Sequence, residues 1–169
     1  NTKPRVSPTP PRDLPIWMLG SSPDSAWLAA DQGLPYCVAL FINPQASPAM
    51  IGGYRETYKP SALWPKPHTM VCITVLCAET EERARMLEKA ANVNYISFVT
   101  KGPHIIYQDP EQAQDYQFSR EELAFLSRYE GTRAIGTPEQ VKADIERIVE
   151  LHGADEVMIV SNAYYKEDR

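Results

Sequence analysis

Apolar positions along the chain fall alternately into short continuous runs and into stripes of helical spacing. Ile16 to Leu19 is a short apolar run that leads into Gly20-Ser21-Ser22-Pro23, the form of a strand, a tight turn and a helix start. Ser22 is placed as N-cap, Pro23 at the first helical position where its missing N–H is harmless, and Ser25 at the N3 site of a capping box. Ala26, Leu28, Ala29 and Ala30 carry that helix to a stop at Gly33. Leu34-Pro35 turns the chain into Tyr36-Cys37-Val38-Ala39-Leu40-Phe41-Ile42, apolar throughout, as expected of a strand buried on both faces. The result is a β-α-β unit, whose parallel strands need such a crossover and whose connection is right-handed by default.

The same alternation continues. A short helix is predicted over Pro48 to Tyr58, with Tyr54 and Tyr58 at i, i+4 and Arg55 between them, amid Pro44, Pro60, Pro65 and Pro67. His68 to Ala78 is a strong strand by its β-branched and apolar content. Thr80 then caps a long helix whose Ala84, Leu87 and Ala91 share a face that Met86, Ala90 and Val93 widen. From Lys101 to Gly131 the alternation breaks: Asp109-Pro110 starts one short helix, and Ser119 with Glu122 forms a capping box for another, which together read as an inserted helical element. Thr137, Pro138 and Gln140 mark the next helix start, with Val141, Ile145, Ile148 and Val149 on one face and Gly153 at its end. Glu156 to Val160 is the fourth predicted strand. Four strands separated by helices specify an α/β fold with a parallel sheet. A closed (β/α)8 barrel needs about 250 residues, so 169 residues supply at most half of one.

Composition narrows the class. The hydrophobic share of 43% with 23% charged residues is that of an ordinary globular chain with a core. A formal net charge of −5 points away from nucleic acid or an anionic membrane as the main partner and toward a small molecule. No apolar run approaches the roughly 18 residues of a membrane span. Cys37, Cys72 and Cys77 sit in apolar runs at spacings that suit neither a disulfide framework nor a metal site, which fits a reducing cytoplasm. Five prolines among the first fifteen residues read as an extended connector over residues 1–15, leaving 16–169 as the folded unit. The start at Asn1 and the end at Arg169, just after a strand, read as a piece of a longer protein.

Chemistry concentrates in the turn from Gly20 to Ser25. A glycine lets backbone approach a ligand without a Cβ, and a helix N-terminus presents free N–H groups and about half a positive charge, here beside serine hydroxyls. That set suits an anion such as a phosphate; the plainer reading is a helix cap. Other candidates are weaker. His68, His104 and His152 lack ligand spacing, so no metal site is read. Glu79, Glu81 and Glu82 read as a solvated helix start, Tyr54, Arg55 and Tyr58 as packing, and Trp17, Trp27 and Trp64 as core.

The string from Ile16 to Tyr36 resembles the fifth strand, phosphate-binding turn and following helix of the bacterial luciferase-like flavin monooxygenases: apolar-Leu-Gly-Ser-Ser, a short gap, Ser-Ala, an Ala-Ala pair and Gly-Leu-Pro. In order after it, Tyr54-Arg55 with Lys59-Pro60-Ser61, Cys77 to Glu82, Ile135 to Val141, Asp155 to Val160 and Tyr164 to Arg169 are similar to later segments of that family. The run Ala39-Leu40-Phe41-Ile42-Asn43 departs from it, where the family often carries polar or histidine residues. The resemblance implies a partial (β/α)8 TIM barrel, about strands five to eight, belonging to an FMN-dependent monooxygenase. It further implies FMN-phosphate contacts at Ser21, Ser22 and Ser25 with Gly20 allowing close approach. Reduced FMN would come from a flavin reductase, with deazaflavin as the related cofactor, O2 and an organic substrate as co-reactants, and a homo-oligomer as the assembly. Catalytic residues are expected on the absent strands, so none is named here. The readings from other classes are a non-catalytic flavin-binding protein and a structural half-barrel that assembles with another chain.

Overall fold

The computed structural model describes Ser7 and residues 14–168, so the expected connector over residues 1–15 lies almost wholly outside the described residues. Strand β1 (Met18–Gly20) leads through the serine turn into helix α1 (Pro23–Asp31), and strand β2 (Tyr36–Ala39) follows. Helix α2 (Ala49–Thr57) precedes strand β3 (Thr69–Cys77), and the long helix α3 (Glu81–Lys101) opens the inserted element. Two short helices, α4 (Pro110–Ala113) and α5 (Arg120–Leu126), complete that insertion. Strand β4 (Arg133–Gly136), helix α6 (Pro138–His152) and strand β5 (Glu156–Val160) finish the sheet.

All pairings are parallel. The strands run β1-β2-β3-β4, and β5 also pairs with β3. β3 is the hub: β2 lies along Thr69 to Cys72, β5 along Met70 to Thr74 and β4 along Thr74 to Cys77. The α/β architecture with a parallel sheet is as the sequence indicates, with one correction. Among the described residues there are five strands, because Arg133–Gly136, read only as the approach to a helix, pairs with β3. Its four residues include one arginine and one glycine, too short and too mixed for an apolar run to show. β2 also ends earlier than its apolar string: Leu40 N–H donates to the Val38 carbonyl, and the chain turns away.

The sheet sorts its residues by face. Tyr36, Val38, Val71, Ile73 and Val75 pack against Ala26 and Ala29 of α1, Met50, Ile51 and Tyr54 of α2, and Val141 and Ile148 of α6, in one buried cluster. On the opposite face Cys37 and Cys72 are buried, while Leu19 on β1 and Met158 on β5 remain 49% and 42% exposed. Among the described residues β1 pairs only with β2 and β5 only with β3, so both flanking strands keep an unpaired edge. An eight-stranded ring has no such edges; half of one has two.

Helix starts follow the sequence closely. Ser119 and Glu122 form a capping box at α5, and Thr137 and Gln140 one at α6. Thr80 Oγ1 accepts the Arg83 N–H at α3. At Gly33, φ is +62°, and an added Cβ would lie 2.8 Å from the Ser61 Cβ, so both backbone and space require glycine there.

Candidate functional site

The serine turn stands at the C-terminal end of β1, where the chain leaves the sheet. Ser22 Oγ accepts the Ser25 N–H at 3.4 Å and Ser25 Oγ accepts the Ser22 N–H at 3.3 Å, closing the capping box. Ser25 Oγ donates to the Ser22 carbonyl at 2.7 Å and lies 2.9 Å from Tyr36 Oη. Asn43 Nδ2 donates to the Ser21 carbonyl at 2.9 Å, so the loop after β2 holds the turn from the other side. Burial pushes the Tyr36 phenol up, against an opposing effect of the Ser25 bond. It therefore stays a neutral hydroxyl that supports the turn.

These contacts divide the turn into internal and available groups. A Cβ on Gly20 would overlap Ser25 Oγ and Cβ, so the missing side chain makes room for Ser25 rather than leaving a gap. Ser25 Oγ is committed to Ser22 and Tyr36. The Ser21 and Asp24 N–H groups and the Ser21 hydroxyl make no hydrogen bond among the described residues. They form a short arc of donors at the positive end of a nine-residue helix, while the Ser22 hydroxyl is turned inward and donates to Ser25 Oγ at 3.4 Å. Such an arc fits a phosphate. The Asp24 carboxylate shares this first turn and competes for the same dipole.

The remaining candidates resolve into structure. Tyr54 Oη donates to the Leu34 carbonyl at 2.9 Å, and Tyr58 Oη to the Trp64 carbonyl at 2.8 Å and the Gly33 carbonyl at 3.1 Å. Arg55 Nη2 pairs with Asp155 Oδ2 at 3.0 Å and donates to Thr69 Oγ1 at 3.0 Å. These three residues fasten the N-terminal end of the sheet. His68 stacks on Trp64 and meets Glu156 at 2.5 Å, His152 is buried, and His104 is exposed. No group of three His, Cys, Asp or Glu side chains among the described residues could hold a metal ion. Glu81 bonds Gln140 and pairs with Arg85 at the surface. Trp17 and Trp64 pack edge to face at 5.7 Å, whereas Trp27, expected in the core, is 61% exposed on α1.

Two supporting residues lay beyond the sequence reading, Tyr36 and Asn43. Both flank the apolar string of β2, and the only local signal was a polar atom at each end of it. On the same end of the sheet, Tyr129 Oη donates to the Ile42 carbonyl at 3.4 Å, which links the turn's neighbourhood to the inserted helices. No helix among the described residues is long and apolar enough to cross a membrane.

Comparison with known proteins identifies the family and the fold. A family model described as luciferase-like monooxygenase matches residues 2–156. The chain is 33% identical over 157 residues to the uncharacterized protein YvbT of Bacillus subtilis, covering 93% of this chain and 46% of that one. It is 30% identical over 158 residues to a luciferase-like monooxygenase of Escherichia coli K12, covering 92% and 47%. The chain thus spans about half the length of the curated relatives it matches. Among solved structures, apo-MsnO8 superposes with a TM-score of 0.83 at 27% identity, over 97% of this chain and 50% of that one. Two more distant structures share the fold. One is the oxygenating constituent of 3,6-diketocamphane monooxygenase of Pseudomonas putida in complex with FMN, with a TM-score of 0.54 at 20% identity over 91% of this chain and 43% of that one. The other is the coenzyme F420 dependent tetrahydromethanopterin reductase of Methanopyrus kandleri, with a TM-score of 0.57 at 14% identity over 88% and 45%.

Proposed function

The chain belongs to the luciferase-like monooxygenase family, and from that membership we propose that the whole protein is an FMN-dependent monooxygenase whose cofactor phosphate is held by the turn from Gly20 to Ser25. The observation that carries this is the arc of available donors, the Ser21 and Asp24 N–H groups with the Ser21 hydroxyl, at the end of β1 where barrel enzymes keep their sites. Bound flavin would supply the activation of O2 and the transfer of one oxygen atom to an organic substrate, with reducing equivalents delivered by a flavin reductase. Ser21 would bind the phosphate, and Ser22 would join it by turning its hydroxyl out of the long bond to Ser25. Ser25, Tyr36 and Asn43 would orient that turn without touching the cofactor, and Gly20 would let Ser25 close against β1. The three unpaired thiols of Cys37, Cys72 and Cys77 support a reducing compartment such as the cytoplasm.

A deazaflavin is the second reading, favoured by the F420-dependent reductase that shares the fold. The phosphate turn alone serves either cofactor. The deciding experiment loads the intact protein with reduced FMN or reduced F420 and follows oxygen uptake on mixing with aerated buffer. Uptake with FMN and incorporation of oxygen into an added substrate supports the monooxygenase. Tight flavin binding with no turnover would favour a flavin-binding protein, and preference for F420 without oxygen uptake the deazaflavin reading.

A further inference from the structure

A cavity lies beside the C-terminal half of β3, beneath α3, with a volume of about 230 Å³. Phe41, Tyr95, Phe98 and Tyr107 supply aromatic walls, and Arg133 of β4 is its cationic residue. The guanidinium is held on two sides. Its Nη1 donates to Asn92 Oδ1 at 2.8 Å, and its carbon sits 4.4 Å from the centre of the Tyr129 ring. Its other edge is unanswered: Nε is buried with no partner, and Nη2 makes no hydrogen bond among the described residues. Arg133 also forms no ion pair among those residues, although Glu88 lines the same cavity. Burial works against its charge, and Glu88 compensates only in part.

An arginine held this way is anomalous as a purely structural residue. Nε and Nη2 form the side-on edge of the guanidinium, the edge that pairs with both oxygens of a carboxylate. A buried donor without a partner costs free energy that an ordered acceptor would return. We propose that this cavity is a binding site for a small aromatic carboxylate, its ring between the aromatic walls and its carboxylate on the Nε and Nη2 edge of Arg133. Nη2 is the open group and meets the ligand first; Nε, screened from water, is reached as the Arg133 side chain shifts to seat the carboxylate, and Glu88 opposes the incoming charge. The volume admits one substituted ring. The site is distinct from the serine turn, and its binding goes beyond the flavin reading because no flavin group takes part.

The test is a calorimetric titration of the purified chain with sodium benzoate, without flavin, beside the neutral isostere benzamide. Saturable binding of benzoate at least ten-fold tighter than benzamide is expected. Arg133→Lys, which keeps the charge and loses the fork, should weaken benzoate at least ten-fold, and Glu88→Gln should tighten it. Thermal melting confirms that each variant is folded. Equal binding of benzoate and benzamide, or weaker benzoate binding in Glu88→Gln, overturns the proposal. So does the absence of saturation in the wild-type chain, which needs no variant to interpret. Because flavin is left out, failure here says nothing about the phosphate turn, and failure of flavin binding leaves this result standing.

Discussion

The hydroxyls of Ser25 and Tyr36 meet at 2.9 Å and tie the first turn of α1 to the start of β2, eleven residues further on. The turn is therefore braced by the sheet and does not rest on its own cap. Ser25→Ala removes the reciprocal capping bond and leaves Tyr36 Oη with the longer contacts to the Ser22 carbonyl at 3.4 Å and Met50 Sδ at 3.9 Å. Urea unfolding should show a loss of about 1 to 2 kcal/mol. Gly20→Ala should cost about 1 to 3 kcal/mol, since its methyl displaces Ser25. Full stability in Gly20→Ala would mean that Ser25 is not packed against β1.

Flavin affinity tests the available donors separately from the bracing ones. In the intact protein Ser21→Ala should weaken FMN by about ten-fold, the size of a charge-assisted hydrogen bond of about 1.5 kcal/mol, while leaving riboflavin unchanged. Fluorescence titration with both ligands reads this directly. Equal losses for FMN and riboflavin would place the phosphate elsewhere.

Acid should weaken the fold in two stages. Burial lowers the pKa of His152, so below about pH 6.5 the unfolded chain takes up a proton that the folded chain resists. Stability contributed there is complete above that pH and falls as pH drops through the lower folded value. Asp155 is also lowered: burial would raise it, but the hydrogen bonds from Thr69 and the Arg55 pair outweigh that. Its contribution is present above about pH 4 and is lost below it. Denaturant midpoints measured from pH 8 to pH 3 should show both falls. His152→Gln should remove the upper one alone, and an unchanged profile in that variant would contradict it.

The open edges of β1 and β5, with Leu19 and Met158 exposed, should make the isolated chain self-associate. Sedimentation velocity is expected to show a dimer or larger species, shifted toward monomer in Leu19→Lys. A monomer at all concentrations would show that these edges are covered within the chain.

Local chemistry was what the sequence made legible. Ser22, Ser119 and Thr137 announce their helices because capping is settled within four residues, and β3 announces itself by nine residues of unbroken β-former character. β4 escaped notice because its pairing is decided by β3, some 60 residues away, and not by its own four side chains. The glycine of the serine turn was legible as a need for closeness, but what comes close is Ser25, and only the folded turn shows that. Trp27 misled for a similar reason: size and apolarity favour burial, yet the helical position it occupies faces outward. The cavity around Arg133 joins residues from 41 to 162, a span across which no spacing rule reaches.

Three of the four other strands lean on β3, and two of them come from the last quarter of the chain or close to it. During synthesis, then, β1, β2 and β3 can emerge and pair with α1 and α2 in place while the partners of β3's remaining ladder are still unmade. For the time it takes to translate roughly 60 more residues, the most apolar of the described strands offers Thr74 to Cys77 to whatever lies near the ribosome. Chaperone dependence, if this chain has any, should concentrate in that interval.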